Sequence, residues 1–425
     1  MLREKFDKAK DNLYYNTSYP VTKDGWNKYL VSNDFDLFSN TKDMSIYIHI
    51  PFCNSLCKFC EYTRFKKQDE FTESQYISIL ENQINEFFNN HNVNKLYGFD
   101  IGGGTPTCLS DNNFDRLLEL EDKIESHFNS FVGDYEKSIE ANFPTITENK
   151  IKAIVSHNIK RISLGVQVAN CNILNHNMRN NGTYSDMFDK INLMKYLGIR
   201  KINLDFMYGL QGQNICDVKN SLELISYLNS DQVTLYEMRY NMVDQKENNS
   251  RDEMLKQYET FYNGLINLGY IGKFGCNTFS RYNDDGVSSY LRYRMKSCTP
   301  YKGFGISAQS MSYKGLSYNM GKGETEYSKC IMQNKISEQF TYSLPEKEVI
   351  AKYIAISLYY GSFDIDVLNE ILEFHNIKET AEQLYHDQLK FLLENECVEI
   401  HNQIVTLTKK GFKYYGAVGS VFYPN

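Results

Sequence analysis

The chain has 425 residues, enough for one large barrel plus a smaller domain, and its 42% hydrophobic and 23% charged residues describe an ordinary soluble globular protein. A formal charge of −7 with no basic stripe argues against nucleic acid as the main partner, because phosphate contacts need clustered Lys and Arg. No apolar run approaches the ~20 residues of a membrane span. Met1 to Tyr15 is charged throughout and lacks an apolar signal core, so we expect a cytoplasmic protein without a membrane partner.

Residues 1–43 read as a polar and aromatic N-terminal extension whose one recognisable feature is Asn16-Thr17-Ser18-Tyr19-Pro20. The string Thr17-Ser18-Tyr19-Pro20 resembles the N-terminal segment of coproporphyrinogen oxidases, where it lies near the active site, and a plain turn before Trp26 explains it equally well. From Met44, β-rich runs alternate with helical stretches. The runs are Met44–Ile50, Lys95–Ile101, Lys137–Ala141, Arg161–Val166, Lys201–Tyr208 and Gln232–Glu237. Between them, Phe71–Phe88 carries Tyr76, Ile79, Leu80, Ile84 and Phe87 on one helical face, and Asp186–Leu197 repeats the pattern with Met187, Ile191, Met194 and Leu197. Six βα units in series predict a parallel sheet with helices outside it, with the chemistry at the C-terminal ends of the strands.

Directly after the first run come Cys53, Cys57 and Cys60, at C-x3-C-x2-C spacing. Such spacing lets one loop turn its thiolates toward a single point, as iron–sulfur ligation requires. A closed cubane takes four thiolates and this loop supplies three, which leaves one iron open to a small molecule. Two plainer readings stand beside this one: a zinc ion completed by His49, and three unrelated buried cysteines. The other seven cysteines have no ligand spacing and read as small buried residues, with Cys108 and Cys276 kept as second candidates because they sit near glycine-rich turns.

The later strand ends carry further motifs. Gly102-Gly103-Gly104-Thr105-Pro106-Thr107 follows the second run, where glycines let backbone groups approach a ligand. Glu140 and Asn142 end the third, Gln167 the fourth and Asp205 the fifth. A carboxylate at such a strand end is usually functional, since burying it unpaired is expensive. Arg179 offers a planar fork for a carboxylate, or is a solvated surface arginine.

Together these residues resemble the radical S-adenosylmethionine (radical SAM) enzymes. The string Tyr47-Ile48-His49-Ile50-Pro51-Phe52-Cys53 is similar to the oxygen-independent coproporphyrinogen III oxidase branch. The resemblance implies an α/β fold: an open, six-stranded partial (β/α)6 barrel over residues 44–310. It implies a [4Fe–4S] cluster on Cys53, Cys57 and Cys60, the cluster's electron breaking SAM to a 5′-deoxyadenosyl radical. It places Tyr47, Phe59, Gly103, Gly104, Thr105, Glu140, Gln167, Arg179, Asp205 and Gln309 around one or two SAM molecules. Gln309 belongs to Gly303-Phe304-Gly305-Ile306-Ser307-Ala308-Gln309-Ser310, similar to a late family element that closes the cofactor pocket. A small-molecule or tetrapyrrole substrate, and an electron donor such as flavodoxin or ferredoxin, are implied as partners.

Residues 311–344 read as a connector, and the chain changes character from Pro345. Glu346–Tyr359, Ile365–His375 and Thr380–Glu394 read as helices, followed by strands Cys397–Ile400 and Gln403–Leu407 and a final helix opened by Thr408. That is a winged-helix-like pattern, which the acidic surroundings turn away from DNA; in the family such a domain over residues 345–425 is a lid over the substrate.

Three functions follow. One is oxidative decarboxylation of coproporphyrinogen, for which Arg64, Arg179, Arg239, Arg292 and Arg294 supply cations. The family's oxidases carry a fourth cysteine where this chain has Tyr62, within Glu61-Tyr62-Thr63-Arg64-Phe65, and a smaller residue where it has Arg239. The departure after the cluster points to the second function, a relative that uses two SAM molecules for methyl or methylene transfer or for haem opening, whereas Arg239 speaks against a second SAM at that position. The third is a haem-binding chaperone, which is no enzyme.

Overall fold

The protein is described by a computed structural model that covers residues 1–10, 19–22, 24–32, 35–243 and 249–424. Asn16, Thr17 and Ser18 of the Thr-Ser-Tyr-Pro string lie outside the described residues; Tyr19 and Pro20 lie within them.

The six β-rich runs are the six parallel strands β1 (Asp43–Ile50), β2 (Lys95–Gly103), β3 (Lys137–Ala141), β4 (Arg161–Gln167), β5 (Lys201–Tyr208) and β6 (Gln232–Glu237), paired in sequence order. Thr278–Ser280, β7, adds antiparallel to β6. Beyond β1 lie β8 (Tyr301–Phe304), parallel to it, and then β9 (Gln309–Ser312), β10 (Gly315–Asn319) and β11 (Glu338–Ser343), each antiparallel to its predecessor. The edges β7 and β11 do not pair, so the sheet curls without closing. The segment 311–344, expected as a connector, thus carries strands of the main sheet.

Strand alternation decides which face holds the chemistry. Ile139, Ile162, Leu164, Ile202, Leu204, Val233 and Leu235 are buried against the outer helices. Their neighbours are polar and cross-paired in register: Glu140 opposite Ser163, Ser163 opposite Asn203, and Asp205 opposite Thr234. The barrel interior is therefore polar. The outer helices begin at sequence-encoded caps: Asp69 accepts from the Thr72 N–H, while Thr183, Asn214 and Ser250 each close a capping box with an acid three residues on.

The C-terminal region contains helices Glu346–Ser357, Ile365–Phe374 and His386–Glu394, with a three-stranded sheet of Ser362–Asp364, Ile404–Leu407 and Val398–His401. The helix expected over Thr380–Glu394 breaks at Tyr385, whose buried ring packs 5.5 Å from Phe422. The N-terminal segment ties onto this region. The Tyr19 hydroxyl, Trp26 Nε1 (2.9 Å) and the Tyr29 hydroxyl (3.1 Å) all donate to the Glu348 carboxylate. Among the described residues, no helix is long and apolar enough to cross a membrane.

Candidate active site

The loop after β1 is stapled at both ends. Phe52–Cys53 pairs in parallel with Phe65–Lys66, and the Phe65 and Lys67 N–H groups donate to the carbonyls of Pro51 and Cys53 at 2.6 and 2.7 Å. Inside the excursion, Arg64 Nη2 donates to the Cys57 carbonyl at 2.5 Å, and the Cys60 N–H does so at 3.2 Å. These bonds turn Cys53, Cys57 and Cys60 toward one cavity of about 1160 Å3, counted with its opening to solvent.

Burial raises the Cys53 thiol and pushes that of Cys60 up to about 11, so the protein alone does not make these cysteines nucleophiles. A bound metal deprotonates such thiols outright. A single zinc would need its ligand atoms closely gathered around it. Among the described residues only Glu121, Asp122 and His157 place three such atoms within 4.8 Å of one another, and Lys137 already reaches Glu121 at 2.7 Å and Asp122 at 3.5 Å. The three sulfurs are not all within that distance of one another, so as they stand they do not form a single-zinc set. His49 is no fourth ligand. It is buried, Nε2 contacts the Thr63 carbonyl at 2.8 Å, and burial pulls the ring down to about 4, which keeps it neutral.

The glycine loop at the end of β2 underlies the cysteine loop. The N–H groups of Gly104 and Thr105 donate to the carbonyls of Ile50 and Phe52 at 2.7 and 2.8 Å. A side chain on Gly104 would put its Cβ 2.6 Å from the Phe52 carbonyl and 3.0 Å from Cys53 Sγ. Gly103 has φ +117°, a conformation that L side chains rarely adopt. The Thr105 hydroxyl lies 3.6 Å from Cys53 Sγ.

Glu140 accepts from the Gly103 N–H at 3.0 Å. Its carboxylate opens onto the cavity yet is walled in by protein. The residue is exposed to that cavity, but the protein packed around it desolvates the carboxyl, and with Asp205 and Asp100 nearby and only partial relief from the Gly103 N–H and Arg161 this raises it to about 7. Burial likewise raises Asp205 to about 6, although Ser163 Oγ (2.9 Å) and Asn203 Nδ2 (2.8 Å) donate to it. Gln167, in a left-handed conformation at φ +75°, and Arg179 complete this wall. Arg179 donates through Nε to Asn181 at 2.8 Å and through Nη2 to the Gly165 carbonyl, so it belongs to the cavity and not to the outer surface.

Of the residues expected around the cofactors, Phe59, Gly103, Gly104, Thr105, Glu140, Gln167, Arg179 and Asp205 line this cavity with the three cysteines. Tyr47 and Gln309 do not. Tyr47 stacks on Tyr290 at 5.7 Å with its hydroxyl 3.3 Å from His49 Nδ1. Gln309 Oε1 accepts from Arg294 Nη2 at 3.1 Å and from the Tyr301 hydroxyl. Sequence reasoning missed the role of Tyr359, which brings the C-terminal region to the cavity wall, and of Glu61 and Arg239, which form an ion pair there. Nothing in the local pattern links those last two.

Residues 47–225 match the Radical SAM superfamily. That stretch, from β1 past β5, carries a radical SAM domain. The relatives the chain is similar to are coproporphyrinogen oxidase-like proteins. It is 26% identical over 392 residues to the heme chaperone HemW of Lactococcus lactis, which covers 88% of this chain and 95% of the relative. It is 27% identical over 299 residues to the oxygen-independent coproporphyrinogen III oxidase of Salmonella typhimurium, over 65% of this chain and 63% of that one. The fold is that of coproporphyrinogen III oxidase (HemN) from Escherichia coli, with a TM-score of 0.74, 22% identity, and coverage of 92% of this chain and 94% of that one. Radical SAM proteins work with a [4Fe–4S] cluster and SAM, the two cofactors expected from the sequence.

Proposed function

We propose that the chain is an enzyme that binds a [4Fe–4S] cluster through Cys53, Cys57 and Cys60 and SAM in the adjoining cavity, and modifies a tetrapyrrole or related small organic substrate. One observation carries this reading: three thiols from one loop and the Glu140 carboxylate face a single cavity floored by Gly103 and Gly104. The close approach of Gly104 to Cys53 is a cradle that any side chain would fill. When bound, the cofactors supply one-electron cleavage of the SAM C–S bond and with it a 5′-deoxyadenosyl radical.

The chain's own residues hold and orient. Glu140 and Asp205 are acceptors for ammonium and ribose hydroxyl groups, and Arg179 is a donor for a carboxylate. The stapled loop and Tyr359 keep water from the reacting centre. Methyl or methylene transfer and oxidative decarboxylation are the two outcomes this site would serve.

The second reading, a haem chaperone, is favoured by the Lactococcus lactis relative, which aligns along 95% of its length. Anaerobic reconstitution with iron and sulfide, reduction, and mass spectrometry after adding SAM separates the two. 5′-Deoxyadenosine that disappears in Cys57→Ala supports the enzyme, and S-adenosylhomocysteine beside it assigns methyl transfer. Haem binding with neither product overturns the enzymatic reading.

A further inference from the structure

A second, smaller cavity adjoins the one that holds the cysteines. It measures about 390 Å3, counted with its opening, and the two share a partition of Glu140, Ser163 and Tyr236. Its other walls come from inside the barrel: Asp100 on β2, Ser138 on β3, Arg161 on β4, Asn203 on β5 and Thr234 on β6. This is an axial chamber, and it is polar.

Strand register sets the height of each group in it. Glu136, Ser138 and Glu140 follow one another at two-residue steps on one face of the chain, ~6.6 Å apart along a strand. Asp100 pairs with Ser138, so it stands level with the midpoint between Glu136, just before β3, and Glu140, near its end. Gly102 follows Asp100 by two residues on β2, and a Cβ there would lie 2.6 Å from Glu140 Oε2. The space that a side chain would take on Asp100's own strand is thus filled by the Glu140 carboxylate.

The charges in the chamber do not balance. Arg161 is the one cation among the lining residues, and it donates to neutral partners, through Nε to Gln232 Oε1 at 2.9 Å and through Nη1 to Ser138 Oγ at 3.0 Å. Asp100 accepts from Ser288 Oγ at 2.6 Å, while its other oxygen, Oδ1, is buried with no partner. Two carboxylates in one poorly neutralised site resist ionising together. Desolvation raises Asp100 to about 7, with Ser288 and Arg161 lowering it and Glu136 raising it. Glu140 reaches about 7 through desolvation, then through Asp205 and Asp100.

The other groups that face this pair leave the coupling between them intact. Glu136 is held by Lys201 at 3.0 Å, which also reaches Asp284 at 3.3 Å, so its charge is met at the far end of the barrel. Arg294 and Tyr290 face Asp100 from the helix Ser289–Lys296, and Tyr135 and Tyr360 face it from beyond the sheet. Tyr47, Tyr62 and Tyr290 face Glu140. Burial raises all of these tyrosines, so they stay neutral where the carboxyls titrate.

We propose that Asp100 is a positioning residue for the cavity above it: across the chamber the two carboxylates compete for one negative charge, and Asp100 thereby sets the pH at which Glu140 is free to hold a cation. This rests on reading Glu140 as the acceptor for the cation of SAM. Asp100 itself touches no ligand.

The first arm of the test needs no SAM. Infrared difference spectra against pH, with isotopically labelled aspartate, separate the Asp100 carboxyl from that of Glu140. Asp100→Asn is expected to move the Glu140 midpoint down by about half a pH unit or more, and Glu140→Gln to move the Asp100 midpoint down equally, because coupling is reciprocal. Midpoints that stay in place overturn the proposal, as does a shift in only one of the two variants. If Asp100→Asn does not fold, judged by circular dichroism, the Asp100 midpoint in Glu140→Gln decides alone. In the second arm, calorimetry follows SAM binding to reconstituted Asp100→Asn. The rise of affinity with pH keeps its steepness and moves to lower pH by the same shift, with alkaline affinity changed about threefold or less. A uniform loss of affinity at every pH marks a purely structural residue and overturns the proposal. Reciprocal midpoint shifts in a protein that binds no SAM at any pH keep the coupling and sink only the reading of Glu140 as a cofactor ligand.

Discussion

Arg239, just past the end of β6, forms an ion pair with Glu61, the residue after Cys60, and so bridges the cysteine loop to the far wall of the cavity. The two side chains are only 26% and 17% exposed, and Glu61 Oε2 is buried with no other partner. Removing one member leaves the other charge stranded, which costs roughly 3 kcal/mol or more, whereas removing both is close to neutral. We expect Arg239→Gln and Glu61→Gln each to lower the thermal midpoint and the double variant to recover most of the loss. Additive losses in the double variant would mean the pair has no energetic coupling.

Gly104→Ala tests the cradle under Cys53. The added Cβ would meet the Phe52 carbonyl at 2.6 Å, so the loop must shift, at a cost of about 1–3 kcal/mol. The expected variant folds, with unchanged far-ultraviolet circular dichroism, yet retains much less iron after reconstitution. Full iron loading at unchanged stability would show that the loop yields freely.

Glu140 predicts a pH dependence. Desolvation by the surrounding cavity wall raises its carboxyl from 4.5 to about 7. The folded state holds this proton more tightly than the unfolded one, so Glu140's contribution to stability is complete below pH 4.5 and is lost as pH climbs toward 7. A cationic ligand needs the ionised form and competes with the proton. SAM affinity, measured by calorimetry, should therefore rise between about pH 6 and 8 and then level off. Glu140→Gln should bind more weakly with that slope removed; an unchanged slope would place the titrating group elsewhere.

Trp26 is the single tryptophan of the sequence, and it is buried with Nε1 on Glu348. Glu348→Ala would leave three donors, from Tyr19, Trp26 and Tyr29, without their acceptor, at about 1–3 kcal/mol for each that stays buried. The expected outcome is a red shift of tryptophan emission and faster proteolysis within residues 1–43. Unchanged emission would mean the segment is held by its apolar contacts alone.

The strands were legible because each has a short β-rich run with period-two alternation, and β3, β5 and β6 have the bounds expected from it. Cys53, Glu140, Gln167 and Asp205 were legible because each stands at or just past a strand's end. Tyr47 was placed near the cofactor pocket by likeness alone; its ring stacks on Tyr290, and its hydroxyl is within electrostatic range of Glu140 and Tyr62 on the cavity wall. The Glu61–Arg239 pair was invisible because both residues read locally as departures from a family pattern, and only the folded sheet makes them neighbours. The break at Tyr385 escaped for the same reason: the periodicity of Thr380–Glu394 is helical throughout, and the contact of Tyr385 with the distant Phe422 is not visible in it.

Glu348 follows Trp26 by 322 residues, and Tyr359, which closes one side of the cavity, comes later still. At a synthesis rate of ~5–20 residues per second, roughly 15–65 s separate the emergence of the two partners from the ribosome. The three thiols are complete by residue 60, long before Tyr359 emerges to close that side of the cavity. Iron and sulfide can then reach them before any domain has to swing aside.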